Sequence, residues 1–479
     1  MSNPIAREID RQECDVTGVM PKDLNGAFYR LGGQWYYPPK FQDDIPLHAD
    51  GFLSMFRIVD GRVFYRSRFV ETERLRVNRE KQRMRFGYYR NRVTDDPDVG
   101  AFSASAANTT AFFFAGRLFA LKEDAQPHEI DPVTLETRGI FDFQGAFKSR
   151  TFTAHPKVDG LTGELVTFGY QAKGPFSHDV FVYVFAPDGR MRNEIRIEMP
   201  VLDMIHDMAI TRDHVLLPLA GFAVDKEALP KGGPLWRWDP AAPARIGVVR
   251  RDGDGSDLRW FTGPKHCLLH VYNAYAEGDR ITLDAPFYRA NPFPFIPSLD
   301  GSRWDPSFGD AFVRRLTFDL SKREDTWAEE VLFHTKIGDL GDVDPRNAGH
   351  RHRYCFGGHE APPRRGEPKV DFVRPPWPMA NGYVRFDAQE RKQSSLTLAA
   401  HQSLGECVFV PRAPDSREGE GYLLGVADDY ANGTSFLIVA DAERLEQGPL
   451  AAARLPYRAG PQVHGSWVGN DQCPMWNPL

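Results

Sequence analysis

The feature that most constrains this chain is how often its backbone is interrupted. The 479 residues include 42 glycines and 37 prolines, spread from end to end. Breakers at that density leave little room for long helices. Between them run short, β-rich segments joined by turn sequences. Phe56–Val59 faces Arg62–Val70 across Asp60-Gly61. Asp-Gly between two such runs is a strong hairpin signal, because the tight turn needs positive φ at both central positions. Val180–Phe185 faces Met191–Met199 across Pro187-Asp188-Gly189-Arg190, His270–Tyr275 faces Ile281–Leu283 across Ala276–Arg280, and Gly421–Val426 faces Thr434–Ala440. No shift in composition divides the chain, so a single domain over residues 1–479 is expected. An antiparallel protein of this length is too large for a simple sandwich, and radial repetition as a β-propeller is the natural way to close it. No WD or kelch repeat marks the blades. Pro230–Ala244 and the charged, proline-rich Ala361–Pro378 read as loops.

Charge and cysteine usage narrow the function. Lys plus Arg is 59 against 65 for Asp plus Glu, a formal charge of −6. A protein that neutralises phosphates wants a basic excess, so nucleic acid is excluded as a partner. The mean hydropathy is −0.45, and the longest apolar run, Val215–Val224, has about half of the ~20 residues a membrane-spanning helix needs. Met1–Asp15 is polar, with no secretory signal. The five cysteines are scattered without a CxxC pair, which argues against a disulfide framework and a thiolate zinc site. A cytoplasmic protein is the expectation.

Four of the 14 histidines stand apart. His155 lies in TFTAHPK, His206 in VLDMIHDMAI, His270 in CLLHVYNAY and His464 in PQVHGSWV, each within an apolar, strand-like run that predicts burial. His350, His352 and His359 sit among charges and read as solvated. Taken singly, each of the four is a core histidine bonded to backbone. No local metal motif such as HExxH is present, and separations of 51, 64 and 194 residues do not bring the four together. Only converging strands, such as the inner strands of a propeller, would make them a metal site. His266 shares a face with His270 if both lie on one strand, but it follows a Gly-Pro-Lys turn and ranks lower.

Several strings, in order, resemble the carotenoid cleavage oxygenase family, the non-haem iron enzymes that split carbon–carbon double bonds with O₂. They are NGAFYRLGG near the start, KED at Lys122–Asp124, AHPKVDGLTGEL at Ala154–Leu165, HDMAIT at His206–Thr211 and HVYNAYAEGD at His270–Asp279. FVPRAPDSREGEGYLL at Phe409–Leu424 and HGSWV at His464–Val468 complete the set. FGYYRNRVTDDPDV at Phe86–Val99, ANTT at Ala107–Thr110 and LKED point to the lignostilbene dioxygenase branch, with isoeugenol monooxygenase-like enzymes as the close competitor. The resemblance implies an all-β fold, a seven-bladed β-propeller with a cap of loops and short helices, and Fe(II) on the axis. It implies His155, His206, His270 and His464 as metal ligands, with Glu123, Asp339 and Glu406 orienting them. At the third acid the string is Asp339-Leu340-Gly341-Asp342, not the family's acid-Phe-Pro-Arg, so Asp342 is an alternative to Asp339.

For the substrate, the resemblance implies that Tyr89 and Lys122 hold and activate a 4-hydroxyl, and Tyr89 is preferred to Tyr88 on motif position. A phenol near pKa ~10 donates electrons poorly until it loses its proton. Thr109 matches the position whose methyl faces the open iron site. Phe293 and Phe295, in NPFPFIP, line an aromatic slot or pack the core, with equal weight. Leu47 stands where relatives often place an aromatic against the substrate. The implied function is O₂-dependent cleavage of the central C=C of 4-hydroxystilbenes to two aromatic aldehydes. The partners are thus a small aromatic substrate and O₂, with a homodimer left open. The rivals are phenylpropenoid side-chain oxidation, apocarotenoid cleavage and a metal-free binding module.

Overall fold

The strand Asp179–Phe185 illustrates how the sequence builds this molecule. Its Val180, Val182 and Val184 enter one buried apolar cluster while Phe181, Tyr183 and Phe185 enter another. Both faces of the sheet are therefore covered, and fully burying such side chains contributes about 1.5–3 kcal/mol each. The next strand out, Met191–Glu198, alternates exposed and buried residues towards its end and marks the rim. Leu216 and Leu217 divide in the same way between two clusters. Four-stranded sheets are thus stacked face to face, each packing on its neighbours.

The computed structural model describes residues 8–362, 370–371, 380–460 and 463–476. Most of the expected loop Ala361–Pro378 lies outside the described residues. The described chain is nearly all β, with one α-helix, Glu73–Lys81, capped by the Thr72 hydroxyl accepting from the Leu75 amide at 3.1 Å. One nine-stranded sheet is held together by a single parallel pairing, His464 opposite Thr110. Divided there, the larger sheets form seven antiparallel groups, with one further two-stranded hairpin. One strand from each of several successive groups lies against its counterpart in the next: Ala209–Ile210 on Asn273–Glu277, Gly341–Val343 on Val408–Pro411, Val408–Pro411 on His464–Gly469, and His464–Gly469 on Thr110–Phe114. The two ends of the chain share the closure. Asp15–Gly18 pairs with Pro449–Arg454, and Gly26–Gln34 pairs with His464–Gly469.

The hairpin across Asp60-Gly61 forms as expected, with φ of 50° and 77° at the two turn residues. Other details differ. Pro230–Ala244 is not simply a loop: Trp236–Trp238 pairs with Phe222–Val224, because burying both indoles holds the segment in a hairpin. The third expected hairpin starts later, at Asn273, and turns at Gly278-Asp279. All five cysteines are free and buried. Among the described residues no helix is long and apolar enough to cross a membrane.

Candidate metal centre

Residues at, or just ahead of, the strands that meet at the middle gather at the centre. His155 stands two positions before Lys157–Val158, His206 three before Ala209–Ile210 and His270 three before Asn273–Glu277, while His464 opens His464–Gly469. Three of the four therefore sit in approach segments and not on strands, as the sequence had suggested. These segments lie outside the ladders, and side chains bond several of their amides, beginning with the Thr153 hydroxyl that accepts from the His155 amide at 3.0 Å. Asp207, buried beside His206, does most of this. Its carboxylate accepts from the Met208 amide at 2.7 Å, from the Val271 amide at 2.9 Å and from Lys157 Nζ at 2.8 Å. One carboxylate thus ties together the segments carrying His155, His206 and His270. Sequence reasoning passed over Asp207, although it lies inside the HDMAIT string.

The four imidazoles converge, with ligand atoms all within 4.8 Å of one another. Nε2 of His206 is 3.3 Å from Nε2 of His155 and 3.1 Å from Nε2 of His270. His155 and His464 stand edge to face at 89° with ring centroids 4.4 Å apart. Carboxylates bond the far side of two rings and stand beside that of a third. His270 Nδ1 is 2.5 Å from Asp339 Oδ2, His464 Nδ1 is 2.8 Å from Glu406 Oε1, and His206 Nδ1 is 3.6 Å from Glu123 Oε1. Asp342 does not take this part; its carboxylate accepts from the Val343 and Phe409 amides.

These contacts decide what the cluster can hold. An imidazole that donates Nδ1–H to a carboxylate keeps a lone pair on Nε2. The hydrogen bonds to Asp339 and Glu406 thus leave Nε2 of His270 and His464 as free donors to a cation, and Nε2 of His206 stands 3.1 Å from that of His270. A metal–imidazole bond of about 2.1 Å places adjacent nitrogens about 3.0–3.4 Å apart, which matches the separations here. Burial and the neighbouring imidazoles hold His155 well below the usual histidine range, which favours the neutral, ligating form. Burial opposes ionisation of Glu123, yet His206, Arg90 and Lys122 outweigh it and hold its carboxyl well below the usual range. At Glu406 burial is likewise outweighed, by His464 and Arg30. The donor set fits a divalent cation. Side-chain exposure of 17% at His206 and 14% at His270, against 5% at His464, puts the accessible face of the cluster on the His206–His270 side.

Glu406 also meets Arg30 Nη1 at 2.9 Å and the Gly465 amide at 3.2 Å, and Arg30 Nη2 donates to the Val463 carbonyl at 2.7 Å. This buried arginine was not singled out from sequence, though it lies in NGAFYRLGG. The remaining histidines are elsewhere. His266 is 3.0 Å from Glu329. His350, His352 and His359 are not solvated as expected: His352 and His359 are buried and His350 is half-buried. Burial follows from buried partners for two of them, Asp159 for His350 and Asp284 for His352.

Beyond the cluster, Lys122 directly follows the strand Arg117–Leu121 and is buried. Its Nζ donates to Asn108 Oδ1 at 2.8 Å and to the Leu47 carbonyl at 3.3 Å, and lies 5.3 Å from the centroid of the Tyr89 ring. Tyr89 sits in a turn, half-buried, with its amide donating to Asp44 Oδ1 at 3.1 Å. Burial raises the Tyr89 phenol well above its ordinary value and lowers the Lys122 amine. Tyr88 points away, stacked on Phe41 with its hydroxyl donating to Asp43. Thr109 is buried beside the cluster, and its carbonyl accepts from the His464 amide at 3.2 Å. Phe293 packs against Phe222 at 6.2 Å, whereas Phe295 is 37% exposed.

The family model described as retinal pigment epithelial membrane protein, RPE65, matches residues 2–469. Lignostilbene-alpha,beta-dioxygenase isozyme III of Sphingomonas paucimobilis is 34% identical across 98% of this chain and 96% of its own length. Isoeugenol monooxygenase of Pseudomonas putida is 35% identical across 97% of this chain and 96% of its own. The crystal structure of Pseudomonas brassicacearum lignostilbene dioxygenase superposes with a TM-score of 0.91 at 33% identity, covering 97% of this chain and 96% of that one.

Proposed function

The chain belongs to the RPE65/carotenoid cleavage oxygenase family, and from that premise we propose that it is an Fe(II) dioxygenase cleaving the central C=C of 4-hydroxystilbenes to two aromatic aldehydes. His155, His206, His270 and His464 hold the iron, with Glu123, Asp339 and Glu406 fixing three of the rings. Tyr89 and Lys122 receive the substrate phenol. Thr109 would lie beside the bound metal next to His464, and Phe293 and Phe295 belong to the aromatic surroundings of the substrate. The convergence of four imidazole nitrogens, three backed by carboxylates, carries the metal reading.

Bound Fe(II) supplies the activation of O₂ that imidazoles and carboxylates cannot. The chain's own residues prepare the substrate. Lys122 is buried and its amine is lowered from the ordinary range, so it can take the phenol proton at Nζ. Tyr89, raised well above its ordinary value by burial, keeps its proton and donates a hydrogen bond to the phenolate oxygen. Electron density released there reaches the central double bond through the conjugated ring. Isoeugenol also carries a free phenol, so the same pair serves the competing substrate class, and chain length beyond the ring separates the two.

Anaerobic purification with metal analysis, followed by incubation in air with a 4-hydroxystilbene and its 4-methoxy analogue, tests this reading. One iron per chain and aldehydes from the free phenol alone are expected. Equal cleavage of the methoxy analogue refutes the phenolate step. Cleavage of isoeugenol but of no stilbene replaces the substrate, and no iron after reconstitution refutes the four-histidine site.

A further inference from the structure

Lys122 Nζ has two fixed partners, and a third group fixes one of those. Asn108 is buried at 4% exposure. Its Nδ2 donates to the Ala49 carbonyl at 2.7 Å and to the Leu47 carbonyl at 3.0 Å. Two carbonyls on one side of the amide define its orientation, because only the NH₂ can donate to both. Oδ1 must therefore face Lys122, which it meets at 2.8 Å. The Leu47 carbonyl, held by the same amide, accepts from Lys122 as well.

An amine nitrogen has four tetrahedral positions, one of them taken by its own carbon. We propose that Asn108 is the positioning residue of the substrate-activating base: its carbonyl oxygen and that of Leu47 occupy two positions on Lys122 Nζ and leave a single position for the substrate phenol. The inference rests on Lys122 acting on that phenol. In the neutral amine both N–H bonds are held by the two carbonyls, so the lone pair fills the remaining position. The phenol O–H bond breaks and the third N–H bond forms, while the electron pair stays on the phenol oxygen. The new ammonium then donates to the phenolate through that same position, and nothing else needs to move. Asn108 Oδ1 also receives the Thr109 hydroxyl at 3.3 Å, so one amide orients both the lysine and the threonine beside the cluster.

Burial is the largest influence on the Lys122 amine and lowers it, and the charges around it act in both directions. Asp124 and Glu123 favour the ammonium, while Arg90 and Arg74 oppose it. Tyr89 and His48 are the other ionisable groups that face it. A neutral oxygen at position 108 adds orientation without adding charge to this balance.

The test uses Asn108→Ala and the isosteric Asn108→Asp in the iron-loaded protein, with Lys122→Met as reference. A nitro-substituted 4-hydroxystilbene, whose phenolate is coloured, reports the ionisation of the bound phenol without turnover. Asn108→Ala is expected to lower kcat/KM for 4-hydroxystilbene by about 100-fold at unchanged iron content, and to raise the pKa of the bound chromophore by one unit or more. Asn108→Asp restores the contact but pairs the ammonium with a carboxylate. Its kcat/KM profile is expected to lose activity on the acid side at a pH at least one unit higher, with recovery in base. A merely structural amide would move neither the acid limb nor the chromophore titration. Wild-type values of both in the folded variants, with Lys122→Met inactive, overturn the inference and leave the function intact. Full activity in Lys122→Met refutes the underlying role of the lysine instead.

Discussion

The three carboxylates behind the histidines are not equivalent, and a pair of substitutions separates their duties. Glu406 bonds His464 and also neutralises Arg30, whose side chain is fully buried. Asp339 bonds His270 through Oδ2, while its Oδ1 is buried without a hydrogen-bond partner. Glu406→Gln keeps the shape but leaves the arginine charge without its counter-ion. Removing one partner of a buried ion pair costs about 3–5 kcal/mol. Unfolding entropy of about 2.1 cal/mol/K per residue, over the whole chain, gives roughly 1 kcal/mol/K, so the metal-free Tm should fall by about 3–5 °C. Asp339→Asn removes a carboxylate that no cation pairs, and its metal-free Tm should stay within about 1 °C of wild type. Both should weaken metal binding by about 10–100-fold, because each supports one ligating ring. Melting of the chelated proteins gives the first quantity, and metal titration of the same samples gives the second. A metal-free Glu406→Gln as stable as wild type, or an Asp339→Asn as destabilised as Glu406→Gln, would refute this division of labour.

Four further outcomes follow from the same geometry. Lys122→Met should keep its iron and lose most 4-hydroxystilbene turnover, measured by aldehyde release; full activity would end the phenolate reading. Tyr89→Phe should lower kcat/KM for the phenol by about 10-fold, near the value of one hydrogen bond to a charged group, whereas Tyr88→Phe should change it less than about twofold. Asp342→Asn should leave metal affinity within about threefold, since this carboxyl, pushed up to about 7 by burial, serves two backbone amides and not a histidine; titration of the metal-free variant checks it. The metal-free protein should lose stability in two acid windows. His48 and His128 are buried and lowered from 6.5 to about 4, so the unfolded chain takes protons first and each costs about 3 kcal/mol as pH falls from 6.5 to 4. Glu123 and Glu406, held below 4.5, add their loss only as pH falls below 4.5. Denaturation midpoints across pH 4–8 that do not change would contradict the first window.

Hairpins were readable because their signals are local. Asp60-Gly61 needs only its own two residues to specify a turn, and the structure has both at positive φ. Pro230–Ala244 misled because two tryptophans, and not its prolines and glycines, decide its conformation through burial. His352 misled in the opposite sense. Charged sequence neighbours suggested solvent, but its partner is Asp284, buried on a distant strand. Asp207, Arg30 and Asn108 went unnoticed for one physical reason. Each acts on backbone amides or carbonyls from segments far away in sequence, and nothing local records that duty. The choice between Asp339 and Asp342 had the same limit, since both are acids near one strand and only the direction of the side chain separates them.

The histidine separations carried no message because they measure the wrong interval. What stays short is the distance from each site residue to the central strand it leads into, never more than three residues: one for Thr109, two for His155, Asp339 and Glu406, three for His206 and His270, and none for His464. The long gap before His464 contains two whole groups, whose corresponding positions supply carboxylates in place of imidazoles. Each of these acids reaches a histidine of another group: Asp339 holds His270, and Glu406 holds His464 across the seam where the chain ends pair. The oriented ligand set therefore exists only when the ring is closed. A metal bound to it stabilises the closed state over any opened one. Changes in the outer strands and turns leave the intervals that matter untouched, so ligand spacing can vary while the centre is conserved in geometry.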